Sequence, residues 1–150
     1  MVSIPAKISL NNLSFEEIKI GYQFSFERVV NQDLVESFAD LVWDYNPLHL
    51  DADYAKNTKF GRPIMHGMLL GGFFSALVGM ICPGQQCVYI SQSLNFKNPL
   101  YPNPSAQVII MGQVVSKSES TKMLTINTVI KNSDGTIIVE GIALVKVGHK

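Results

Sequence analysis

Between Ile64 and Gly84 the chain reads IMHGMLLGGFFSALVGMICPG, with no Asp, Glu, Lys or Arg. Met65, Leu69, Leu70, Phe73, Phe74, Leu77 and Val78 fall on every side of a helix drawn from about Ile64 to Met80, and such a helix has to be surrounded by protein or by lipid. A bilayer span needs about 20 predominantly apolar residues. This stretch instead holds Gly67, Gly71, Gly72 and Gly79 together with His66 and Ser75, and only Lys59 and Arg62 flank it as basic residues. It reads as a buried core helix. Each glycine weakens that helix by about 1 kcal/mol relative to alanine, so their use is to let another backbone or a ligand come close.

What surrounds the helix is legible on both sides. After CPGQQ the runs VYISQSLNF, AQVIIMGQVV, KMLTINTVI and TIIVEGIALVKV are rich in β-branched residues and separated by turn residues, with Asn132-Ser133-Asp134-Gly135 the clearest hairpin turn. Before it, Tyr22, Phe24 and Phe26 alternate with polar residues through Val29, the period of a half-buried strand. Asn31 then offers an N-cap, and Leu34, Val35, Phe38, Leu41 and Val42 form one helical stripe. Pro47 ends that helix near Trp43 or Asp44. Asp51 can cap a short turn through Lys56. Antiparallel strands with one apolar face need a cover, and only the Ile64 helix is apolar enough to supply it. The expected fold is α+β, one domain over residues 1–150.

The totals limit the partners. Of 150 residues 47% are apolar and 16% charged, with 12 basic against 12 acidic side chains, so no net field favours nucleic acid or an anionic membrane. The low charged fraction predicts apolar surface covered by a second copy, a homo-oligomer. Cys82 and Cys87 close too short a loop for a disulfide framework and lack partners at metal-ligand spacing, which fits a reducing compartment and no metal. The N-terminus has no charged region followed by an apolar run, so no secretory signal is read and a cytoplasmic location is expected.

Two stretches carry candidate chemistry. In DYNPLHLD, Asp44 and His49 flank a stiff Asn-Pro step, and a carboxylate and an imidazole converging on a water suit adding or removing water. On the motif alone, a solvated helix end and a satisfied loop histidine remain open readings, and the commoner ones for such a pattern. In PIMHGML, Gly67 opens a helix whose first N–H groups have no internal partner, where an enolate-like oxygen would be stabilised. Ser75, two turns on, can donate into the same cavity or bond its own helix.

Together, DYNPLHLDADYAKNTKFGRPIMHGML resembles the signature of the MaoC-like hydratases, and in particular the (R)-specific enoyl-CoA hydratases. The resemblance continues through Ser75 and PGQQCVYISQSLNFKNPLY and, more weakly, to VEGIALVKV. It implies a hot-dog fold, a curved antiparallel sheet around a long central helix, assembled as a homodimer with its sites near the interface. It implies a lyase that adds water reversibly to trans-2-enoyl-CoA to give (R)-3-hydroxyacyl-CoA, in fatty acid or hydroxyalkanoate metabolism. A dehydratase on acyl carrier protein and a non-catalytic thioester-binding module are the alternatives. Asp44 and His49 would activate the water, the Gly67 N–H would polarise the thioester carbonyl, Ser75 would line the site, and Asn46 would fix the loop. His66 is read as structural or as shaping the pocket mouth. No metal or redox cofactor is implied; coenzyme A belongs to the substrate, and Lys59, Arg62 or Lys97 would meet its phosphates. The chain departs from the family pattern at Trp43, at Gly71-Gly72 and at YPNPS, Tyr101 to Ser105, which puts chain-length preference in doubt.

Overall fold

The structure, a computed structural model, describes residues 8–148. The expectation that the N-terminus carries no secretory signal falls largely on residues 1–7 and lies outside the described residues. Six strands form one antiparallel sheet: β1 (Gln23–Val30), β2 (Cys87–Gln92), β3 (Asn95–Phe96), β4 (Ala106–Ser118), β5 (Met123–Asn132) and β6 (Ile137–Val147). Their order is β1-β4-β5-β6-β2, with β3 paired to β6. Period-2 alternation sorts the faces: along β5, Leu124, Ile126, Thr128 and Ile130 are buried while the residues between them are not. Gly135 takes φ 87° in the β5–β6 turn, as the Asn-Ser-Asp-Gly sequence requires.

The sheet closes on the apolar helix. α4 (Gly67–Ala76) runs on into a π-helical turn, Leu77–Ile81. Phe74, Leu77 and Val78 are fully buried in one core with Val108, Ile110, Leu124 and Ile126. The helix starts three residues later than expected, at Gly67, because Ile64 and Met65 bond to other segments: their N–H groups donate to Leu48 O at 3.3 Å and Leu100 O at 2.8 Å. Nor is α4 covered all round in the single chain. Met68, Gly72 and Ser75, at i, i+4 and i+7, leave one exposed stripe.

Two of the four helix glycines act as notches. A Cβ on Gly67 would lie 2.6 Å from Cε1 of Phe96, and one on Gly71 would lie 2.8 Å from Cδ1 of Leu94. Side chains two apart on the β2–β3 segment thus rest on glycines four apart on α4. The same segment explains why VYISQSLNF forms two strands rather than the single one expected. Ser93 crosses directly over Gly141, where a Cβ would meet its carbonyl at 1.8 Å, and the ladder breaks there.

The connection between β1 and α4 is three helical pieces, α1 (Gln32–Val42), α2 (Pro47–Leu50) and α3 (Ala52–Lys56). Asn31 caps α1 by accepting from Leu34 N at 3.1 Å, and Asp51 caps α3 by accepting from Tyr54 N at 2.9 Å, both as the sequence indicates. The apolar stripe of α1 is only partly used. Val35 is buried, but Leu41 and Val42 in the last turn are exposed, as is Trp43 beyond them. Among the described residues no helix is long and apolar enough to cross a membrane.

Candidate active site

His49 does not sit in an open loop, as expected, but in α2, whose N-cap is Asn46: the Asn46 side chain accepts from Leu48 N at 3.0 Å with Pro47 at the first helical position. The ring is fixed from the other side. His49 Nδ1 lies 2.7 Å from the carbonyl of Ile64, and a carbonyl only accepts, so Nδ1 carries a proton and Nε2 is the nitrogen with the lone pair in the neutral ring. The backbone of Leu48 receives the Ile64 N–H in return, so α2 and the segment leading into α4 clasp each other.

Asp44 follows Trp43, the αL residue (φ 64°) that ends α1. Its side chain is half exposed and accepts from Asn46 N at 3.2 Å. Between Asp44 and His49 lies His66. This ring is 2% exposed, stacks on His49 with centroids 3.8 Å apart, and donates from Nε2 to the Asp44 carbonyl at 3.0 Å, with the Asp44 carboxylate 3.7 Å away. Burial pushes the His66 pKa below its ordinary value, helped by the neighbouring His49, while the hydrogen bond to the Asp44 carbonyl and the Asp44 charge partly oppose it. Each of Asp44, His49 and His66 offers one donor atom within 4.8 Å of the others. The donor types would suit a transition metal, although Nδ1 of His49 and Nε2 of His66 are already committed to backbone carbonyls.

A cavity of about 270 Å³ opens beside the cluster, lined by His49 and Gly67 and otherwise mostly by apolar residues, among them Phe60, Leu70, Phe96, Leu100 and Ile138. Gly67 is the first residue of α4, where the N–H has no partner within the helix. The arrangement can hold an apolar chain, with a base and a backbone donor at one end of it. A larger trough of about 450 Å³ lies on the outer face of the sheet among Gln23, Gln113, Asn127 and Glu140, and contains none of the candidate residues.

The remaining candidates are placed less favourably. Ser75 is on the exposed stripe of α4 and does not line the cavity of the single chain. Arg62 donates to Asn103 O at 3.1 Å and lies 4.1 Å over the Tyr101 ring; Lys97 pairs with Glu140 at 3.4 Å. Lys59 is exposed, its ammonium 5.2 Å from the ring of Phe60. Two features escaped the sequence. Phe96 covers Gly67, and His66 joins Asp44 to His49; the adjacency of His66 to Gly67 was the only signal for the second.

A curved antiparallel sheet around one central helix, with a carboxylate and an imidazole at the helix start, defines the hot-dog class of hydro-lyases. A family model described as MaoC like domain matches residues 14–133, and the chain belongs to that family. It is 36% identical over 135 residues to an (R)-specific enoyl-CoA hydratase of Aeromonas caviae, covering 90% of this chain and 99% of that protein. It is 38% identical to an (R)-specific enoyl-CoA hydratase of Rhodospirillum rubrum, covering 89% and 90%. The solved structure of the (R)-hydratase from A. caviae involved in PHA biosynthesis superposes with a TM-score of 0.83, at 36% identity over 88% of this chain and 98% of the other.

Proposed function

We propose that the chain is an (R)-specific enoyl-CoA hydratase that adds water reversibly to trans-2-enoyl-CoA. One observation carries the reading: His49, its Nδ1 tied to the Ile64 carbonyl, and Gly67 line the same apolar cavity. In the hydration direction His49 takes a proton from the water as its oxygen bonds to C3, and negative charge develops on the thioester oxygen, where the Gly67 N–H at the helix start stabilises it. The Asp44/His49 pair then delivers a proton to C2 on the same face, which discharges the enolate. Asn46 holds α2, and thereby His49, in place. No step asks for a metal or a redox cofactor.

The finer assignments follow from the same reading. We take residues 1–150 as one domain, supported by a core that draws on residues from Phe15 to Val147. The exposed stripe of α4 and the free edge of β2, where Val88 and Ile90 are exposed, support a homodimer in which the partner covers both and brings Ser75 to a site. Among the three cations, Lys59 suits the coenzyme A phosphates best because Arg62 and Lys97 already have partners. The free thiols of Cys82 and Cys87 support a reducing, cytoplasmic setting.

The test is hydration of crotonyl-CoA, followed as loss of the conjugated enoyl absorbance, on wild type, Asp44→Asn and His49→Ala. Activity in the wild type and its loss in both variants is expected, with an (R) product on a chiral column. Wild-type activity confined to enoyl thioesters of acyl carrier protein would move the substrate to that carrier. Inactivity on both would overturn the enzyme reading.

A further inference from the structure

We propose that His66 is a positioning residue: a buried imidazole that holds Asp44 in place for the reaction without exchanging a proton with the substrate. The inference rests on the hydratase reading above. Asp44 stands just past the end of α1, where the last carbonyls of a helix have no internal partner. Its own carbonyl is taken by His66 Nε2–H at 3.0 Å, a bond between residues 22 positions apart. This bond matters because the preceding residue, Trp43, sits in the left-handed region at φ 64° although it is not a glycine, and its indole is 83% exposed and supplies little packing. A non-glycine residue in that region persists where its surroundings hold it. Here the hold comes from the residue after it.

His66 is itself held tightly enough to serve. Its ring lies between His49, stacked at 3.8 Å with an interplanar angle of 29°, and Phe38 of α1, edge-on at 5.1 Å. It is also the N-cap residue of α4, directly before Gly67. One ring therefore touches the helix that leads into Asp44, stacks on the proposed base and precedes the proposed oxyanion donor.

A phenylalanine would pack in the same slot, and the Nδ1 atom argues that packing is not the whole role. With Nε2–H given to Asp44, Nδ1 carries the lone pair, and it is buried without a hydrogen-bond partner among the described residues. An unmet buried acceptor costs stability that a phenylalanine would avoid. The groups facing the ring are the Asp44 carboxylate, His49 and the uncharged Phe38, and burial disfavours the charged form of His66 among them, so His66 is a poor competitor for the proton taken from water.

The experiment compares wild type with His66→Phe, which keeps the packed ring but has no N–H, and His66→Gln, whose amide can reach the Asp44 carbonyl. On crotonyl-CoA, His66→Phe is expected to lose about 100-fold in kcat, the scale of a 1 Å misplacement, with KM within about threefold and a melting temperature within about 4 °C of wild type, because the lost bond to Asp44 and the removed unmet acceptor oppose each other. His66→Gln is expected to recover to within about tenfold of wild type. Backbone hydrogen exchange over residues 43–46 is expected to quicken in His66→Phe alone. Wild-type kcat in His66→Phe, no recovery in His66→Gln, or unchanged exchange at 43–46 would each overturn the proposal. If wild type hydrates no enoyl thioester, the hydratase reading fails, and the exchange of residues 43–46 alone decides whether His66 holds Asp44.

Discussion

Replacing Gly67 by alanine separates packing from chemistry at the start of α4. The added Cβ would lie 2.6, 2.8 and 3.0 Å from Cε1, Cδ1 and Cζ of Phe96, where carbon atoms rest at roughly 3.5–4.0 Å. The ring must therefore move by about 1 Å. It can do so cheaply, because Phe96 is 54% exposed and belongs to a strand of two residues. Alanine also recovers up to about 1 kcal/mol of helix propensity, so the net change in stability should stay within about 1 kcal/mol, or about 2–4 °C in melting temperature for a chain of this size. Catalysis should respond very differently. The methyl group and the displaced ring stand in the mouth of the cavity beside the Gly67 N–H, and loss of one oxyanion donor costs about 10²–10³ in kcat. Calorimetry paired with the crotonyl-CoA assay should show a near-native transition with kcat/KM about 100-fold lower. Activity within threefold of wild type would refute the assignment of Gly67 as the donor, and a melting temperature lower by more than about 10 °C would mean that the position is structural first.

Other perturbations probe the frame and the cluster. Gly141→Ala puts a Cβ 1.8 Å from the Ser93 carbonyl, whose residue is pinned by bonds to Ile142 in both directions at 2.9 Å, so a loss of about 3 kcal/mol is expected by denaturant titration. Wild-type stability would show that the crossing is not rigid. Asn46→Ala removes the cap of α2 and should cost about 1 kcal/mol together with a fall in kcat, while Asn46→Asp, which keeps the acceptor, should restore both. Ile90→Lys places a charge on the free edge of β2 and should give a monomer by light scattering; an unchanged oligomer would exclude that edge as the interface. His66 also predicts a pH dependence of stability. Its pKa is lowered by folding, so the unfolded chain binds the proton more readily. Stability is full above the ordinary histidine pKa of about 6.5 and falls as pH drops from there through the lowered folded value, with a slope of up to about 1.4 kcal/mol per pH unit from this group. His66→Phe should remove that component of the slope; an identical slope in the variant would refute it.

What could be read from the sequence was local, and what could not was carried by contacts between distant segments. Asn31 and Asp51 announced α1 and α3 because a cap is a bond across three residues, and Gly135 announced its turn because only the backbone angle matters there. The charge-free helix announced the fold, since burying it leaves the sheet as its only cover. α2 was missed because four residues, Pro47–Leu50, show no period, and the shift of the α4 start to Gly67 depends on bonds to Leu48 and Leu100. The split of β2 from β3 depends on Gly141, some fifty residues away. At the site the same division holds. Asp44, His49 and Gly67 stood out by residue type and spacing, whereas the notch filled by Phe96 exists only once β3 is laid against α4. His66 was read as structural or as shaping the pocket mouth, and its bond to Asp44 was not visible for a related reason: it spans 22 residues of chain. The segments between α1 and α4 are thus short helical pieces whose relative placement is set less by their own caps than by the His66 and His49 bonds to backbone carbonyls. In this fold both imidazoles help to place the loop, so substitutions at either position should be judged by the geometry of residues 43–49 before any loss of rate is assigned to lost proton transfer.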